Sequence, residues 1–492
     1  MTTAVLLLPF LSGLLAFAIR DDAARRSLLL WTARAHSALT ALLVLCWLSG
    51  QPEAGGAWFA FDPLGLFFLA ITSLLFLGAS HYASRYLASE KRSPDEDAEP
   101  GFIFSNAPEA VFTGSLLLFL AAMTAVTASR HMGLLWASVE ATTLLSAPLI
   151  YFHRHKRSLE ATWKYLLICS VGIALALIGN LFLGAAGVKA GVGLDLPSLL
   201  SGAPLLEKQL LKAAFLFVFV GYGTKMGLAP FHTWLPDAHS ESPAVVSALL
   251  SGALLNCALL GILRVSAVCA RAGLADFTGG ILLLFGALSL LTAALFILGQ
   301  RDYKRLLAYS SIEHMGMISL GAGLGGPGLF AALLGALSHS LSKAGLFFTS
   351  GVVLEAERTK QISEVRGLLR RAPLAAAVWL AGFLVITGMP PSGVFLSKFM
   401  ILRQAAASGR YWLAGLFLFL LVIVFAGMAR AFIGMVFGER PEKPGEKPFR
   451  EPRGMLAPAA LFLLLAVLLG LWLPGWLDSL LKAAAANAAG TL

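Results

Sequence analysis

The stretch GYGTKMGLAPFHTWLPDAH, residues 221–239, decides the fold of this chain. Lys225 stands in an apolar run, and Pro230 follows five residues later. Proline removes a backbone donor and clashes with the preceding turn, so the pattern predicts a helix broken near Pro230. A lysine at the centre of a membrane helix costs roughly 2.5–3.5 kcal/mol, so such a residue indicates function and needs a partner. The stretch therefore predicts a broken membrane helix that carries a functional charge.

Three further apolar helices carry an ionisable group in the same way. Glu140 and Lys343 each interrupt an apolar run, and Lys398 follows the pair Pro390 and Pro391, which predicts a second helix break. Irregular backbone at membrane depth is tolerated where it is buried in protein or lines a watered cavity. Four ionisable groups at such places indicate a path that carries charge through a membrane.

The composition is that of an integral membrane protein. Hydrophobic residues make up 58% of the chain and charged residues 13%, values outside the range of soluble globular domains. Apolar runs of sufficient length predict an all-α polytopic chain with about 14 transmembrane helices. The run Ala4 to Ile19 lacks a basic start and a cleavage site, so we expect it to be the first of these helices. Residues 1–492 are expected to form a single membrane domain.

The two predicted breaks fall five spans apart. Paired broken helices at corresponding positions are typical of inverted repeats with the functional site at the breaks. We therefore expect two inverted repeats of five helices each, residues 110–265 and residues 278–437, each with one broken helix.

The basic residues indicate the orientation in the membrane. We expect the chain to lie in the cytoplasmic (inner) membrane of a bacterium or archaeon. Most Lys and Arg residues lie in the loops after odd-numbered spans, which predicts that both termini are outside the cytoplasm. The same distribution explains the net charge of +10 and leaves no reason to expect nucleic acid as a partner.

The cysteine spacing argues against a redox centre in this chain. The four cysteines are scattered without a CxxC motif, which excludes the usual iron-sulfur, zinc and c-type haem patterns. We expect no cofactor and no metal ion to be bound by the chain itself.

The buried charges suggest specific partners. Lys225 is the nearest plausible counter-charge for Glu140, and a pair that opens and closes would let the lysine load and release a proton. His339 precedes Lys343 by four residues, so both lie on one helix face, where His339 is a candidate proton relay and Ser338, Ser340 and Ser342 add hydroxyls.

Other polar residues extend the candidate path. Adjacent residues on a helix point in different directions, which weakens the case that Glu313 and His314 act together. Near the first break, two histidines and an aspartate could form a proton mouth, and their spacing is too irregular for a metal site. The candidates for this wider path are His232, Asp237, His239, Lys304, Glu313 and His314.

The order of these motifs resembles the antiporter-like subunit family shared by complex I, Mrp antiporters and membrane-bound hydrogenases. The resemblance covers nearly the whole chain and rests on residues 223–238, 242–250, 302–310, 339–343 and 395–398. It implies that the family's glutamate, its first broken-helix lysine, its central lysine and its terminal lysine are Glu140, Lys225, Lys343 and Lys398.

Within the family, the chain most resembles the F component of hydrogenase-4 and formate hydrogenlyase-type complexes. Ser251 stands where distal complex I subunits usually have a histidine, and the chain stops too soon after its last span for a long lateral helix. The resemblance implies a proton-translocating subunit of an oxidoreductase complex of hydrogenase or NADH:quinone oxidoreductase type. Iron-sulfur clusters and NiFe or flavin would then reside in partner membrane and peripheral subunits.

Two alternatives stay open at this point. The first is a cation/proton antiporter subunit of Mrp type, which would move Na⁺. The second is the membrane partner of a complex that handles CO₂ or bicarbonate.

Overall fold

The computed structural model describes residues 1–51, 55–90, 106–439 and 448–491, and the architecture within these ranges is helical. Extended backbone pairing in the described ranges is limited to three isolated bridges. The prediction of an all-α chain is confirmed.

Eleven α-helices lie within the described residues of the first half of the chain. They are α1 (Thr2–Ala18), α2 (Asp22–Leu48), α3 (Pro63–Ser89), α4 (Glu109–Ala128), α5 (Met132–Ile150), α6 (Lys156–Gly187), α7 (Leu196–Gly202), α8 (Lys208–Met226), α9 (Trp234–Glu241), α10 (Ala244–Leu249) and α11 (Leu255–Arg271).

Nine further α-helices follow in the described residues of the second half. They are α12 (Ala275–Leu298), α13 (Tyr303–Leu324), α14 (Pro327–Glu357), α15 (Leu368–Arg371), α16 (Pro373–Thr387), α17 (Gly393–Ala407), α18 (Tyr411–Phe437), α19 (Arg453–Leu471) and α20 (Gly475–Ala488).

Ten helices among the described residues are long and apolar enough to cross a membrane, compared with the about 14 spans predicted. The ten are α2 to α6, α10 continued by α11, α12, α14, α18 and α19. Two more apolar helices, α1 and α16, have 17 and 15 residues and are too short to count by length alone. The remaining candidates, α8 and α13, carry lysines along helices of 19 and 22 residues.

Both predicted helix interruptions are present. In the first, α8 ends at Met226, Gly227 adopts a left-handed conformation with φ of 79°, and α9 begins at Trp234. In the second, α16 ends at Thr387 and the next residue, Gly388, is again left-handed with φ of 86°. Glycine adopts this conformation at no steric cost, which explains why each helix stops there.

The centre of the bundle is formed by α14 and by α10 with α11, which are buried along nearly their whole length. Residues Leu250–Leu254 form a π-helical turn that joins α10 to α11. Such turns insert an extra residue into a helix and often mark functional sites. By contrast α2, α6, α12, α18 and α19 expose apolar faces at the periphery.

Small residues let α6 and α8 pack closely. A Cβ atom added at Gly221 on α8 would lie 2.5 Å from the Gly172 carbonyl oxygen and 2.6 Å from the Ala176 Cβ on α6. Close approach through small residues replaces the hydrophobic effect as the cause of helix association inside a bilayer. This contact holds α8, and with it Lys225, against α6.

We expect Gly221→Val to lower the thermal unfolding midpoint of the detergent-solubilised protein, because the added methyls force α6 and α8 apart at a cost of about 1–3 kcal/mol. Gly280→Val is the control, since a Cβ atom added at Gly280 on α12 meets nothing within 4 Å. Equal midpoints for the two variants would contradict the packing assignment.

Candidate functional site

Lys225 lies in the last turn of α8, directly before the first break, and its side chain is fully buried. Its ammonium group donates hydrogen bonds to the Thr143 hydroxyl at 2.6 Å and to the Tyr165 hydroxyl at 2.8 Å. The same nitrogen lies 4.8 Å from the centroid of the Tyr165 ring. Three helices, α5, α6 and α8, therefore meet at this lysine.

The Glu140 carboxylate lies one hydroxyl away from Lys225. Its Oε1 accepts a hydrogen bond from Ser170 at 2.8 Å, and its Oε2 accepts one from Thr143 at 3.3 Å. The direct pair that we expected is absent from the ion pairs of the described residues, because the Thr143 hydroxyl accepts from Lys225 and donates to Glu140. A neutral hydroxyl can satisfy both charges in this way without an ion pair.

The residues that connect this pair are not singled out by the sequence pattern. Thr143 follows Glu140 by three residues, so the two lie on one helix face. This spacing is the one feature of the sequence that could have indicated Thr143 as a partner of Glu140. Tyr165 and Ser170 lie on α6, and nothing in the local sequence indicates that they face α5. Tyr165 is further fixed by a hydrogen bond of 2.6 Å to the Ser146 hydroxyl.

Lys343 occupies the buried centre of α14. Its ammonium donates to the Leu307 carbonyl oxygen at 2.6 Å and to the Ser310 hydroxyl, both on α13. These oxygens are neutral, so the central lysine has no carboxylate in direct contact among the described residues. His339 is buried one turn earlier, and its ring centroid lies 5.0 Å from that of His314.

We expected the serines near Lys343 on α14 to add hydroxyls around the lysine, but two of them bond backbone carbonyls. Ser340 donates to the carbonyl oxygens of Ala336 and Gly252, and Ser342 donates to that of Ser338. Serine hydroxyls in helices readily bond the carbonyl four residues earlier, which explains why these contact backbone instead of the lysine.

Lys398 on α17 forms a buried ion pair with Glu313 on α13, in which Nζ lies 2.9 Å from Oε1. The lysine also donates to the Thr387 carbonyl oxygen at 3.3 Å. The other carboxylate oxygen, Oε2, lies 3.2 Å from Nε2 of His314. The terminal lysine therefore has a carboxylate partner that the sequence pattern does not identify.

Glu313 and His314 contact each other, which their adjacency on the helix argued against. The backbone directions of adjacent residues do differ, but the long glutamate side chain reaches the neighbouring imidazole. Both side chains converge on the second break, where the Ile386 carbonyl oxygen lies 2.9 Å from His314 Nε2. Carbonyls at the end of a helix lack intrahelical partners and are free to bind such groups.

The π-helical turn links the two halves through hydroxyls. Ser251, which replaces the expected histidine, hydrogen-bonds Ser311 on α13 at 2.9 Å. Asn256 donates to Ser340 on α14 at 2.9 Å. Polar contacts thus continue from the π-helical turn and α11 to α13 and to α14, which carries Lys343.

A charged cavity of about 820 Å³ opens beside the first break. It is lined by Asp237, which forms ion pairs with both Lys164 and Arg305, and by the ion pair between Glu241 and Lys360. The charged side chains that line the cavity are groups that can exchange protons at the edge of the helix bundle.

The predicted proton mouth is divided by the structure. Asp237 lines the cavity, whereas the His232 ring faces Tyr309 and the His239 ring stacks on Phe347, with centroids 4.8 Å apart. Neither ring is among the groups that line the cavity.

Lys304 lies buried beneath this cavity. Its ammonium donates to the carbonyl oxygens of Ser240 at 3.3 Å and Ser242 at 2.5 Å, at the end of α9. Across the parts of the chain that the structure describes, no group of three or more His, Cys, Asp or Glu side chains could hold a metal ion.

The chain is similar to several known proteins. The family model described as NADH:quinone oxidoreductase/Mrp antiporter, TM, matches residues 129–424. The hydrogenase-4 component F homolog of Methylacidiphilum infernorum is 39% identical over 412 residues, which cover 82% of this chain and 83% of that protein.

Two further likenesses involve other complexes. NADH-quinone oxidoreductase subunit N of Desulforudis audaxviator is 30% identical over 439 residues, covering 87% of this chain and 84% of that protein. A chain in the solved Mrp complex from Dietzia sp. matches with a TM-score of 0.85 at 20% identity and covers 99% of this chain and 97% of that one, which shows a shared fold.

We expect Thr143→Val to reduce proton transport by the assembled protein strongly, because it removes the hydroxyl that joins Lys225 to Glu140 while keeping the side-chain volume. Proton uptake into vesicles is the measurement. Thr142→Val is the matched control, since the Thr142 hydroxyl bonds the Val139 carbonyl oxygen of its own helix. Equal loss in both variants would contradict a specific bridge.

Proposed function

Because the chain belongs to the NADH:quinone oxidoreductase/Mrp antiporter family, as its resemblance predicted, we propose that it translocates protons within a redox-driven membrane complex. It is an antiporter-like membrane subunit of that family. The finer proposal is that redox energy released in partner subunits moves protons along the buried Glu, Lys and His side chains of this one.

The observation that carries the proposal is the burial of three lysines with different oxygen partners. Lys225 and Lys343 donate to neutral oxygens, and Lys398 pairs with a carboxylate. Charges at this depth are costly and are retained where they serve transport. A buried ammonium beside neutral oxygens can release its proton, whereas one in an ion pair holds it, so a small rearrangement of partners can move protons.

The proposed path begins at the charged cavity. We assign Asp237 and Lys304 to proton exchange with the aqueous side, His232 and His239 to the next steps toward the bundle centre, and Lys343 to the role of central carrier. The switch formed by Glu140 and Lys225 controls loading in the first half. His339 passes protons from Lys343 toward Lys398 and the exit, with Glu313 and His314 beside it.

We further propose that α1, α8, α13 and α16 also cross the membrane, which gives the fourteen spans expected from the sequence. The order of helices supports two inverted repeats at residues 110–265 and 278–437. In each, the fourth span is the broken one, α8 with α9 in the first and α16 with α17 in the second. The proposed orientation, with both termini outside the cytoplasm, rests on the basic loops after odd spans.

A partly exposed carboxylate supports a partner subunit in the membrane. Glu140 is accessible at the side of the bundle, and its neighbours Leu144, Leu167 and Val171 are among the exposed large apolar residues. A carboxylate facing hydrocarbon is unfavourable, so this face of α5 and α6 requires cover by another membrane subunit. Clusters, NiFe centres or flavin would belong to partner subunits of that complex.

The test is the proton yield of the intact complex that contains this chain, reconstituted in vesicles. We expect Lys343→Met to block proton transfer almost completely, because methionine fits an apolar interior and cannot carry a proton. Electron transfer by partner subunits should persist. Lys482→Met is the control, since Lys482 on α20 is exposed and pairs with Asp478 four residues earlier. Wild-type proton yield in Lys343→Met would refute the proposal.

The same vesicles separate the alternatives. Na⁺ transport driven by an imposed proton gradient, without electron transfer, would favour the Mrp-type cation/proton antiporter. A signal that depends on bicarbonate and not on electron transfer would favour the CO₂-handling complex. The proposal expects pumping in Na⁺-free medium that a protonophore abolishes.

A further inference from the structure

We propose that His314 accepts a proton and thereby expels the proton of Lys398, because the two cations compete for the single carboxylate of Glu313. This inference rests on the proposed function and assigns the step by which the terminal lysine releases its proton. The residues involved, Glu313, His314, His339 and Lys398, are called the terminal cluster below.

Hydrogen bonding fixes the tautomer of His314. Its Nε2 lies 2.9 Å from the Ile386 carbonyl oxygen and 3.2 Å from the Glu313 Oε2. Both of these oxygens are acceptors, so Nε2 must carry a hydrogen. A neutral imidazole protonated at Nε2 presents Nδ1 as an acceptor. The ring is therefore held in the tautomer of a base, with its free lone pair on Nδ1.

The ring of His339 on α14 lies beside that of His314. His314 Nδ1 and both ring nitrogens of His339 are buried and lack a close hydrogen-bond partner among the described residues, and the backbone of Ser251 is the polar group near His339. The two rings are tilted by 38° with centroids 5.0 Å apart. His339 stands one helical turn before Lys343, so it joins the central lysine to His314. Buried polar nitrogens of this kind need partners, and a proton or a water shared between the rings supplies one.

Glu313 is the only carboxylate at the terminal cluster among the described residues, and each of its oxygens faces a different base. Oε1 lies 2.9 Å from Lys398 Nζ, and Oε2 faces His314. While His314 is neutral, the full negative charge stabilises the Lys398 ammonium. When His314 gains a proton, the carboxylate is shared between two cations, and the terminal lysine is held less tightly.

Proton balance is simple in this step. His314 gains one proton at Nδ1 from the His339 side, and Lys398 loses one from Nζ toward the exit. Glu313 stays ionised throughout. The cluster then holds one cation before and one after, so its net charge is preserved across the step.

The surroundings keep the competition local. The charged and titratable side chains that face the cluster are Lys343 and His339 on α14, while α16 contributes the carbonyls of Ile386 and Thr387. On the remaining side, a Cβ atom added at Gly388 would lie 3.1 Å from Lys398 Cδ, so the lysine stem packs against the second break. This packing holds Lys398 in reach of Glu313.

Two substitutions test the inference, because they should shift the pH profile of pumping in opposite directions. His314→Gln keeps a donor for Glu313 and Ile386 and cannot become charged, so Lys398 should retain its proton and the pH profile of pumping should shift upward. Glu313→Gln removes the counter-charge, so Lys398 should lose its proton too early and the profile should shift downward. We expect each variant to pump at least about tenfold fewer protons per electron.

The controls separate this inference from the proposed function. His36→Gln changes another buried histidine, which bonds Ser73 and Thr124 far from the terminal cluster in sequence, and it should leave the pH profile unmoved.

Lys398→Met tests the carrier itself, and normal pumping in that variant would refute the proposed role of Lys398. If Lys398→Met is inactive, wild-type pumping in His314→Gln or profiles that shift the same way overturn the inference alone. Where Glu313→Gln fails to assemble, the pH profile of His314→Gln decides: an upward shift supports the inference, and an unshifted profile overturns it.

Discussion

The cost of holding a charge inside a bilayer is the constraint on which the rest of the structure depends. Each buried lysine is supplied with oxygens, and those oxygens differ from one lysine to the next. Lys225 contacts two hydroxyls, Lys343 contacts a carbonyl and a hydroxyl, and Lys398 contacts a carboxylate and a carbonyl. The proposed directional transfer depends on these differences, because the chemistry of its partners changes how readily a buried lysine gives up its proton.

The second helix break adds backbone oxygens to this set. Gly227 and Gly388 end their helices in left-handed conformations. The two residues directly after Gly227 are buried, whereas Met389, Pro390 and Pro391 after the second break are exposed. At the second break, the carbonyls of Ile386 and Thr387 bind His314 and Lys398. The long buried helix α14 passes between the two breaks and carries the central lysine. The apolar outer helices then exclude lipid and leave the polar interior intact.

Much of this arrangement is predictable from local sequence, and the remainder depends on contacts between distant segments. Proline and glycine mark both breaks, and a lysine in an apolar run marks a buried charge. The bridge through Thr143 requires α5, α6 and α8 to meet, and the contact of Glu313 with His314 depends on side-chain reach that helix periodicity ignores. Four predicted spans are not counted by length and composition, because α1 and α16 are short and α8 and α13 carry charged residues.

The central claim is that protons pass through the buried side chains of this chain and that electrons do not. The most direct measurement is the proton-to-electron ratio of the reconstituted complex with Lys225→Ala, in which electron transfer and proton uptake are recorded in the same vesicles. The account predicts continued electron transfer with proton translocation lost from this subunit, and a milder loss for Glu140→Gln, since the amide keeps the side-chain volume and some hydrogen bonding. An assembled Lys225→Ala complex with the wild-type proton-to-electron ratio would contradict it.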